Sequence, residues 1–170
     1  MIKVWYYDFP IGRVGIAEDG VGICELFFEN EQTEPDKGDR AAARLTREKA
    51  FWTEEETPLI REAARQLQEY FAGARKVFDL LLSMKGTEFQ LEDWKALQAI
   101  PYGETCFYED IARAIGRPKA CRAVGMANHC NPVSIVVPCH RVIGKSGKMV
   151  GYGGGLSIKE YLLELERKYK

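Results

Sequence analysis

The chain opens with three apolar stretches whose composition is typical of β-strands. The stretches "IKVWYYD", "GRVGIAE" and "VGICELFFE" are rich in β-branched and aromatic residues and are separated by turns that contain Gly. They predict a small antiparallel sheet. Residues 30–56 are polar and rich in acids, which indicates a surface connection with a short helix.

A helical spacing of apolar residues replaces this pattern after Thr57 and Pro58. Gly73 lies where the left-handed residue that follows a helix belongs, and "KVFDLLL" predicts a further strand. Short helices follow "SMKGTE", so we place a domain boundary there, with an α/β domain over residues 1–85 and a mainly helical domain over residues 86–170. The apolar positions of the first helix are Ile60, Ala63, Ala64, Leu67, Tyr70 and Phe71.

The second half predicts short helices joined by turns. Thr87 and the glutamine three residues later form a capping box that begins one helix, and "IPYGET" ends it. "YEDIARAIG" is a short helix that ends at Gly116, and Pro118 is well placed as the first residue of the next helix. "SIVV" predicts a strand, "GKMVGYGGGL" a loop, and Ser157 a second capping box with the glutamate three residues later.

The two helices around Gly116 suggest a helix-turn-helix. The second helix carries Lys119 and Arg122 beside small residues, a surface that would let a helix lie close to DNA. Tight packing between two helices uses the same small residues, so both interpretations stay open. These small residues are Ala120, Ala123, Gly125 and Ala127.

The formal net charge is −1, but the charges are unevenly distributed. Residues 111–159 contain Lys and Arg but no Asp or Glu, which predicts a local surface for a polyanion. Acids that lie beside this segment in the folded chain would cancel that field, and this alternative also stays open. The cations are Arg113, Arg117, Lys119, Arg122, Arg141, Lys145, Lys148 and Lys159.

The five cysteines are an odd number at irregular spacing, which indicates free thiols in a reducing compartment. With two histidines and no zinc-like spacing, we expect no metal site. No apolar run is long enough to span a membrane, and the amino-terminal residues lack the features of a signal peptide. We therefore expect a cytoplasmic protein.

Cys139 is followed directly by His140 in "SIVVPCHRVIGKSGK". An ionised thiol is a strong nucleophile, and its ionisation needs a nearby cation, base or helix N-terminus. If a strand continued through both residues, their side chains would point to opposite faces, so a bridging water or a sharp turn after Pro138 would be needed. A buried cysteine without a chemical role explains the same residues, because cysteine is often buried.

The segment "NPVSIVVPCHRVIGKSGKMVGYGGGLSIKEYLLELE" resembles the active-site segment of the O6-alkylguanine-DNA alkyltransferases, or methylated-DNA–protein-cysteine methyltransferases. "GTEFQ", "WKAL", "IPYGET", "YEDIARAIG" and "RAVGMAN" extend the resemblance over residues 86–166 in the family's order. The amino-terminal half fits through its strand pattern and "YFAGARKVFDL". The resemblance implies a ribonuclease-H-like α/β domain followed by a mainly α, winged helix-turn-helix domain that carries the active site.

The resemblance implies DNA repair in which the alkyl group of O6-alkylguanine, and of O4-alkylthymine, moves irreversibly to Cys139. His140 would act as the base through a water, and Glu166 would orient His140. Asn131 would hold the turn around Cys139, while Tyr108 would donate a proton toward O6 of the base. Each molecule would act once, because a thioether is stable, and no cofactor is implied.

The target base must leave the duplex to be reached, and the resemblance implies that Arg122 takes its place in the stack from the minor groove. Lys119, Ala123 and Lys145 would contact the double-stranded DNA, and Tyr108 would crowd the target phosphate. Ordinary half-buried packing is the alternative for the tyrosines. The implied pocket residues are Pro138, Val142, Tyr152, Gly153 and Gly154.

Other functions explain parts of the pattern. A non-catalytic sensor that binds alkylated guanine and recruits other repair proteins would lack the reactive cysteine. A thiol hydrolase would need an oxyanion hole, and a winged-helix transcription factor would bind one DNA sequence tightly as a dimer. Two positions depart from the family's pattern: Asp93 stands before Trp94 where an apolar residue is expected, and Cys130 is a second thiol near Cys139.

Overall fold

In the computed structural model, which describes residues 1–29, 49, 51–145 and 155–170, a four-stranded sheet forms the amino-terminal part of the protein. Strands β1 (Lys3–Phe9), β2 (Gly12–Glu18) and β3 (Ile23–Glu29) pair in antiparallel fashion, which confirms the predicted sheet. The two-residue strand β4 (Thr53–Glu54) adds a parallel edge beside β1, in a region where the sequence predicted a connection. The sheet is therefore mixed.

Helix α1 (Pro58–Phe71) packs its apolar face against β1, β2 and β3. Thr57 caps the helix by accepting a hydrogen bond from the Ile60 amide at 3.2 Å, and Gly73 follows its end with a φ of 76°, as predicted. Ile60, Leu67 and Tyr70 are completely buried on this face. The helix thus supplies most of the cover for the sheet.

The strand predicted over residues 76–82 is wrong. A single bridge joins Leu82 to Ile23, and Val77 and Leu81 are 75% and 71% exposed. The backbone of Asp79 makes two hydrogen bonds of 2.9 Å with the side-chain amide of Gln66 on α1. This helix side chain satisfies the backbone groups that a neighbouring strand would otherwise satisfy.

Four helices dominate the described carboxy-terminal half: α2 (Glu88–Gln98), α3 (Tyr108–Ala114), α4 (Cys121–His129) and α5 (Leu156–Tyr169). The capping box at Thr87 is present, and Gly116, with a φ of 75°, follows α3 as predicted. Helices α3 and α4 are neighbours and form the predicted helix-turn-helix. Strands β5 (Cys106–Phe107) and β6 (Val142–Ile143) pair in parallel beside it.

Two helix starts differ from the prediction. Helix α4 begins at Cys121, because Pro118 lies in a preceding turn that is closed by a 3.0 Å hydrogen bond from the Ala120 amide to the Arg117 carbonyl. Helix α5 begins at Leu156, so Ser157 lies inside its first turn, and no side chain caps this helix. The capping box predicted at Ser157 is therefore wrong.

The strand predicted for "SIVV" is also wrong. Ile135 has a φ of 72°, and the Val137 amide donates back to the Val133 carbonyl at 3.0 Å, so the chain reverses within this run. A β-branched residue in the left-handed region is strained. The Ile135 side chain is 1% exposed, and its burial in the core offsets that strain.

One cluster of buried apolar side chains runs through both halves of the chain. It contains Leu26 from the sheet, Leu67 from α1, Trp94 from α2, Val124 from α4 and Leu162 from α5. The domain boundary between residues 85 and 86 stays a prediction. Within the described residues, no helix has the length and apolar character needed to cross a membrane.

Candidate active site

Cys139 begins a short 3-10 helix, Cys139–Arg141, that directly follows Pro138. The sharp turn that the Cys139 and His140 side chains need in order to cooperate is therefore present. Asn131 Nδ2 donates to Cys139 Sγ at 3.2 Å and to the Val137 carbonyl at 2.8 Å, while its Oδ1 accepts from the Val133 amide at 3.0 Å. One amide side chain thus holds both the turn and the sulfur.

The thiol of Cys139 is 7% exposed, and this burial raises its pKa to about 11. The hydrogen bond from Asn131 and the charge of Lys159 act in the opposite direction but do not outweigh burial. The thiol is therefore protonated at neutral pH. A reaction at this sulfur needs a base that removes the proton when the substrate is in place.

His140 can supply that base. Its side chain is completely buried, and Nε2 lies 2.6 Å from Glu166 Oε2. Burial lowers the pKa of His140, although Glu166 acts to raise it. A neutral ring that donates from Nε2 to Glu166 keeps Nδ1 as an acceptor, and Nδ1 has no hydrogen-bond partner within the described parts of the protein.

Glu166 is 1% exposed and accepts hydrogen bonds from four residues. Arg141 approaches with Nε at 2.8 Å and Nη2 at 3.2 Å, Tyr70 with its hydroxyl at 2.6 Å and Gly103 with its amide at 3.2 Å, in addition to His140. Burial alone would raise the pKa of Glu166, but His140 and Arg141 hold it well below its usual range. The carboxylate is ionised and firmly oriented.

Sequence reasoning missed two contributors to this site, Tyr70 and Lys159. Tyr70 belongs to the apolar pattern of α1 and Lys159 was counted among the surface cations, because long-range partners leave no local pattern. Arg141 is, with His140, a sequence candidate for promoting ionisation of the Cys139 thiol. The structure binds it to Glu166, and its Nη1 donates to the Ile100 carbonyl at 2.7 Å.

Lys159 is 1% exposed, and its ammonium donates to the Val142 carbonyl at 2.7 Å. Burial lowers the pKa of Lys159. The Val142 amide donates to the Cys139 carbonyl, so the carbonyls of both residues lie in this turn. Because a carbonyl oxygen has two lone pairs, each can accept a further hydrogen bond. Pro138 is buried beside them.

Helix α4 presents Arg122, Ala123 and Met126 to solvent, and Met126 is 65% exposed. Tyr108, at the start of α3, is half-buried, and a Cβ atom built on Gly125 of α4 would lie 3.8 Å from its ring. Burial raises the pKa of Tyr108, so its hydroxyl keeps its proton. The structure thus places the predicted DNA-contacting helix beside Tyr108. The predicted pocket residues Tyr152, Gly153 and Gly154 lie outside the described residues.

Two protein-family models match the chain over nearly its whole length. Residues 2–84 match the ribonuclease-like domain of 6-O-methylguanine DNA methyltransferase, and residues 88–168 match its DNA binding domain. The chain belongs to this family.

Curated relatives and solved structures agree with the family models. A methylated-DNA–protein-cysteine methyltransferase of Methanosarcina acetivorans is 48% identical over 160 residues, covering 94% of this chain and 95% of the relative. The constitutive enzyme of Bacillus subtilis is 50% identical over 161 residues, covering 94% and 92%. The crystal structure of Mycobacterium tuberculosis O6-methylguanine methyltransferase has a TM-score of 0.85 at 44% identity, covering 100% of this chain and 95% of that one. The crystal structure of Mycobacterium tuberculosis OGT in complex with DNA has a TM-score of 0.82 at 43% identity. The match covers 99% of this chain and 93% of that one.

Residues 111–159 contain no Asp or Glu, but acids from other parts of the chain lie beside them in the fold. Glu109 pairs with Arg113 and, at 2.6 Å, with Lys145, which is 74% exposed. Arg117 lies 3.7 Å from Glu92, Arg141 is bound to Glu166, and Lys159 is buried. Most of the predicted polyanion surface is therefore neutralised. Among the described cations of this segment, Lys119 and Arg122 are exposed and lack a carboxylate partner.

Asp93, the departure from the family's pattern, is completely buried. In the orientation of the Asn128 amide that satisfies its neighbours, the nitrogen lies 2.6 Å from Oδ2 and 3.2 Å from Oδ1 of Asp93. Burial raises the pKa of Asp93 to about 7. Packing around it is retained, since Trp94 is 2% exposed and donates from Nε1 to the Ala127 carbonyl at 2.9 Å.

None of the five cysteines, which all lie in the described parts of the chain, forms a disulfide, and Cys130 is half-buried. Across residues 1–29, 49, 51–145 and 155–170, no cluster of three or more His, Cys, Asp or Glu residues could hold a metal ion.

Proposed function

We propose that this protein repairs DNA by moving the alkyl group of O6-alkylguanine to its own Cys139 in a single, irreversible turnover. DNA repair by alkyl transfer to a cysteine is the activity of the family, and DNA is the partner. The assignment of Cys139 is carried by one observation. Its sulfur is held by Asn131 at the start of the turn that also carries the buried His140–Glu166 pair.

The proton of the thiol leaves before the carbon is attacked. It passes through a water to Nδ1 of His140, and Glu166 stabilises the imidazolium that forms. The thiolate then attacks the carbon attached to O6, so that a C–S bond forms as the C–O bond breaks. The electron pair stays on the guanine, which takes up the proton. The net reaction exchanges the thiol proton for the alkyl group.

Tyr108 assists the departure of the guanine. Its hydroxyl keeps its proton because burial raises the pKa of the side chain, so it can donate toward O6 as negative charge develops there. The carbonyls of Cys139 and Val142 accept from the exocyclic amine of the base. Pro138 and, in the segment that the structure leaves undescribed, Tyr152, Gly153 and Gly154 complete the proposed pocket. O4-alkylthymine, which carries its alkyl group on a comparable oxygen, is a second proposed substrate.

The target base reaches this pocket by leaving the duplex. We place α4 in the minor groove, where Arg122 fills the vacated stack and Lys119 contacts the phosphates. Ala123 permits a close approach of the helix, and Lys145 contacts DNA at the edge of this surface. One monomer acts on one lesion. Because the substrate is DNA, we place the protein in the cytoplasm, at the nucleoid in a prokaryote.

A non-catalytic sensor is not favoured, because such a protein would not need the reactive cysteine and the buried base that this chain contains. The two functions make opposite predictions for the protein after it has met the lesion. The alkyltransferase carries the alkyl group away, whereas a sensor leaves the DNA unchanged.

Intact-protein mass spectrometry after mixing with a duplex that bears one O6-methylguanine tests the proposal. We expect one methyl group per molecule, mapped to Cys139 and absent from Cys139→Ala. Cys130→Ala is the matched control and should be methylated like the wild type. Methylation of Cys139→Ala, or lesion binding by the wild type without any gain in mass, would contradict the proposal.

The same assay tests Arg122. Arg122→Ala should react slowly with the lesion in duplex DNA but at the wild-type rate with the free O6-methylguanine base, because a free base needs no extrusion. Equal slowing on both substrates would place Arg122 in the chemistry and not in base flipping.

A further inference from the structure

One side chain from the amino-terminal half reaches the candidate active site. Tyr70 on α1 is completely buried, and its hydroxyl donates to Glu166 Oε2 at 2.6 Å. The same oxygen lies 2.6 Å from His140 Nε2. The carboxylate that holds the base is therefore also held by the ribonuclease-like half of the chain.

We propose that Tyr70 is a positioning residue for alkyl transfer, which acts by fixing Glu166 and, through it, His140. This inference rests on the proposed function, because it takes Cys139 as the nucleophile and His140 as its base. The ribonuclease-like half then contributes directly to the rate of the reaction and not to folding alone.

The geometry explains why a third residue is needed. The last side-chain torsion of a glutamate is broad, so hydrogen bonds decide how its carboxylate is turned. Arg141 and the Gly103 amide hold Oε1, while Tyr70 and His140 meet at Oε2, which Arg141 Nη2 also reaches at 3.2 Å. Loss of the Tyr70 hydroxyl would leave Oε2 with His140 and the longer contact from Arg141, so the carboxylate could turn and the His140 ring would follow it.

Tyr70 remains a donor at every working pH. Burial raises the pKa of its hydroxyl, and the charge of Glu166 raises it further. As a neutral donor, the hydroxyl draws electron density from the oxygen that also faces His140. The charged groups around His140 are Glu166 and Lys159 from α5 and Arg141 from its own turn. Without the hydroxyl, Glu166 would stabilise the imidazolium more strongly, so the pKa of His140 would rise. The rate would still fall, because a ring that is no longer held toward Cys139 accepts the thiol proton more slowly.

The aromatic surroundings of Tyr70 supply a clean substitution and a matched control. The ring centroids of Phe71 and Phe78 each lie 5.4 Å away, and that of Tyr102 lies 6.2 Å away, so phenylalanine at position 70 keeps the packing. The Tyr102 hydroxyl is buried and has no hydrogen-bond partner in the described residues. Tyr102→Phe therefore removes a phenol hydroxyl from the same cluster without touching Glu166.

Single-turnover rates of methyl transfer from duplex DNA containing O6-methylguanine test the inference at a temperature well below the melting point of each variant. For Tyr70→Phe we expect the rate constant at saturating DNA to fall about tenfold, with an unchanged DNA concentration for half-saturation. Tyr102→Phe should react at the wild-type rate. A ring-proton NMR titration should show a raised pKa for His140 in Tyr70→Phe and not in Tyr102→Phe.

The inference is overturned if Tyr70→Phe reacts at the wild-type rate, if Tyr102→Phe is slowed equally, or if the slower rate comes without any change in the titration of His140. A failure of the proposed function looks different. In that case the wild type itself would gain no methyl group at Cys139, whereas failure of the Tyr70 inference leaves wild-type methylation intact.

Discussion

Glu166 and Asp93 are two carboxylates buried to nearly the same degree, at 1% and 0% exposure, in surroundings of opposite character. Glu166 faces a guanidinium, a histidine, a phenol and a backbone amide. Among the described residues, the hydrogen-bond donor that faces Asp93 is the neutral amide of Asn128. The pKa of Glu166 lies well below its usual range, whereas burial raises the pKa of Asp93 to about 7.

Burial therefore does not by itself decide the charge of a carboxylate in this protein. Loss of hydration penalises the ionised form in both places, and the number and charge of the donors decide the outcome. The candidate active site has a carboxylate of fixed charge and orientation. At the interface between α2 and α4, the charge of the Asp93 carboxylate depends on pH.

The largest effect is expected from removing the cation at Glu166. Arg141→Met keeps the length of the side chain but leaves the buried carboxylate without its guanidinium, which should lower the free energy of unfolding by roughly 3–5 kcal/mol. Urea denaturation measures this change. Arg167→Met, on the exposed side of α5, is the control and should change stability by less than about 0.5 kcal/mol. If Arg141→Met is as stable as the wild type, the remaining hydrogen-bond donors are enough to stabilise the buried Glu166 carboxylate.

Substitution of the other buried carboxylate, Asp93, is expected to change the free energy of unfolding by an intermediate amount and in the opposite direction. In the unfolded chain Asp93 ionises near its ordinary pKa of 3.8, whereas burial holds the folded value at about 7. The folded state therefore binds the extra proton between these values, and stability falls as pH rises through this window and is constant above it. Asp93→Asn removes this loss. At about pH 8 the variant should therefore be more stable than the wild type, by at most about 4 kcal/mol, whereas near pH 4 the two should have nearly equal stability.

Urea denaturation at several pH values between these limits measures the effect. Asp8→Asn, at an exposed position, is the control and should follow the wild-type pH dependence. An Asp93→Asn variant whose stability still falls between acid and neutral pH would assign that slope to other groups.

The smallest effect is expected from Asn128→Ala, which removes the one amide that faces Asp93. A buried acceptor left without its donor costs roughly 1–3 kcal/mol, and we expect a loss of stability in this range at about pH 8, where Asp93 is mostly ionised. The cost should shrink in the Asp93→Asn background, because the charge that the amide solvates is then absent. An equal cost in both backgrounds, measured by the same denaturation, would show that Asn128 acts through packing alone.

The sequence predicted several features that are local. The strands β1 to β3, helix α1 with its cap at Thr57 and the capping box at Thr87 follow from periodicity and cap chemistry over a few residues. The roles of Cys139, His140 and Glu166 came from a resemblance to a family and remain proposals, although the structure brings the last two into contact.

Features that depend on distant partners were not predictable in this way. The Gln66 side chain that replaces a strand beside Asp79, the acids that neutralise the basic segment and the Asn128 amide opposite Asp93 all meet their partners only in the folded chain. Tyr70 is the clearest case, since its 2.6 Å hydrogen bond to Glu166 spans 96 positions of sequence. An apolar pattern marks such a tyrosine as core and gives no signal for its hydroxyl.

The protonated state of the Cys139 thiol affects how long an unreacted molecule keeps an intact thiol. Oxidants and stray electrophiles in a cell consume thiolates far faster than thiols. A protein that can react only once would be wasted by a permanently ionised sulfur before it met a lesion. If Cys139 is the nucleophile, as proposed, its burial, which raises the pKa of the thiol to about 11, keeps unreacted molecules inert until a damaged base lies beside the sulfur.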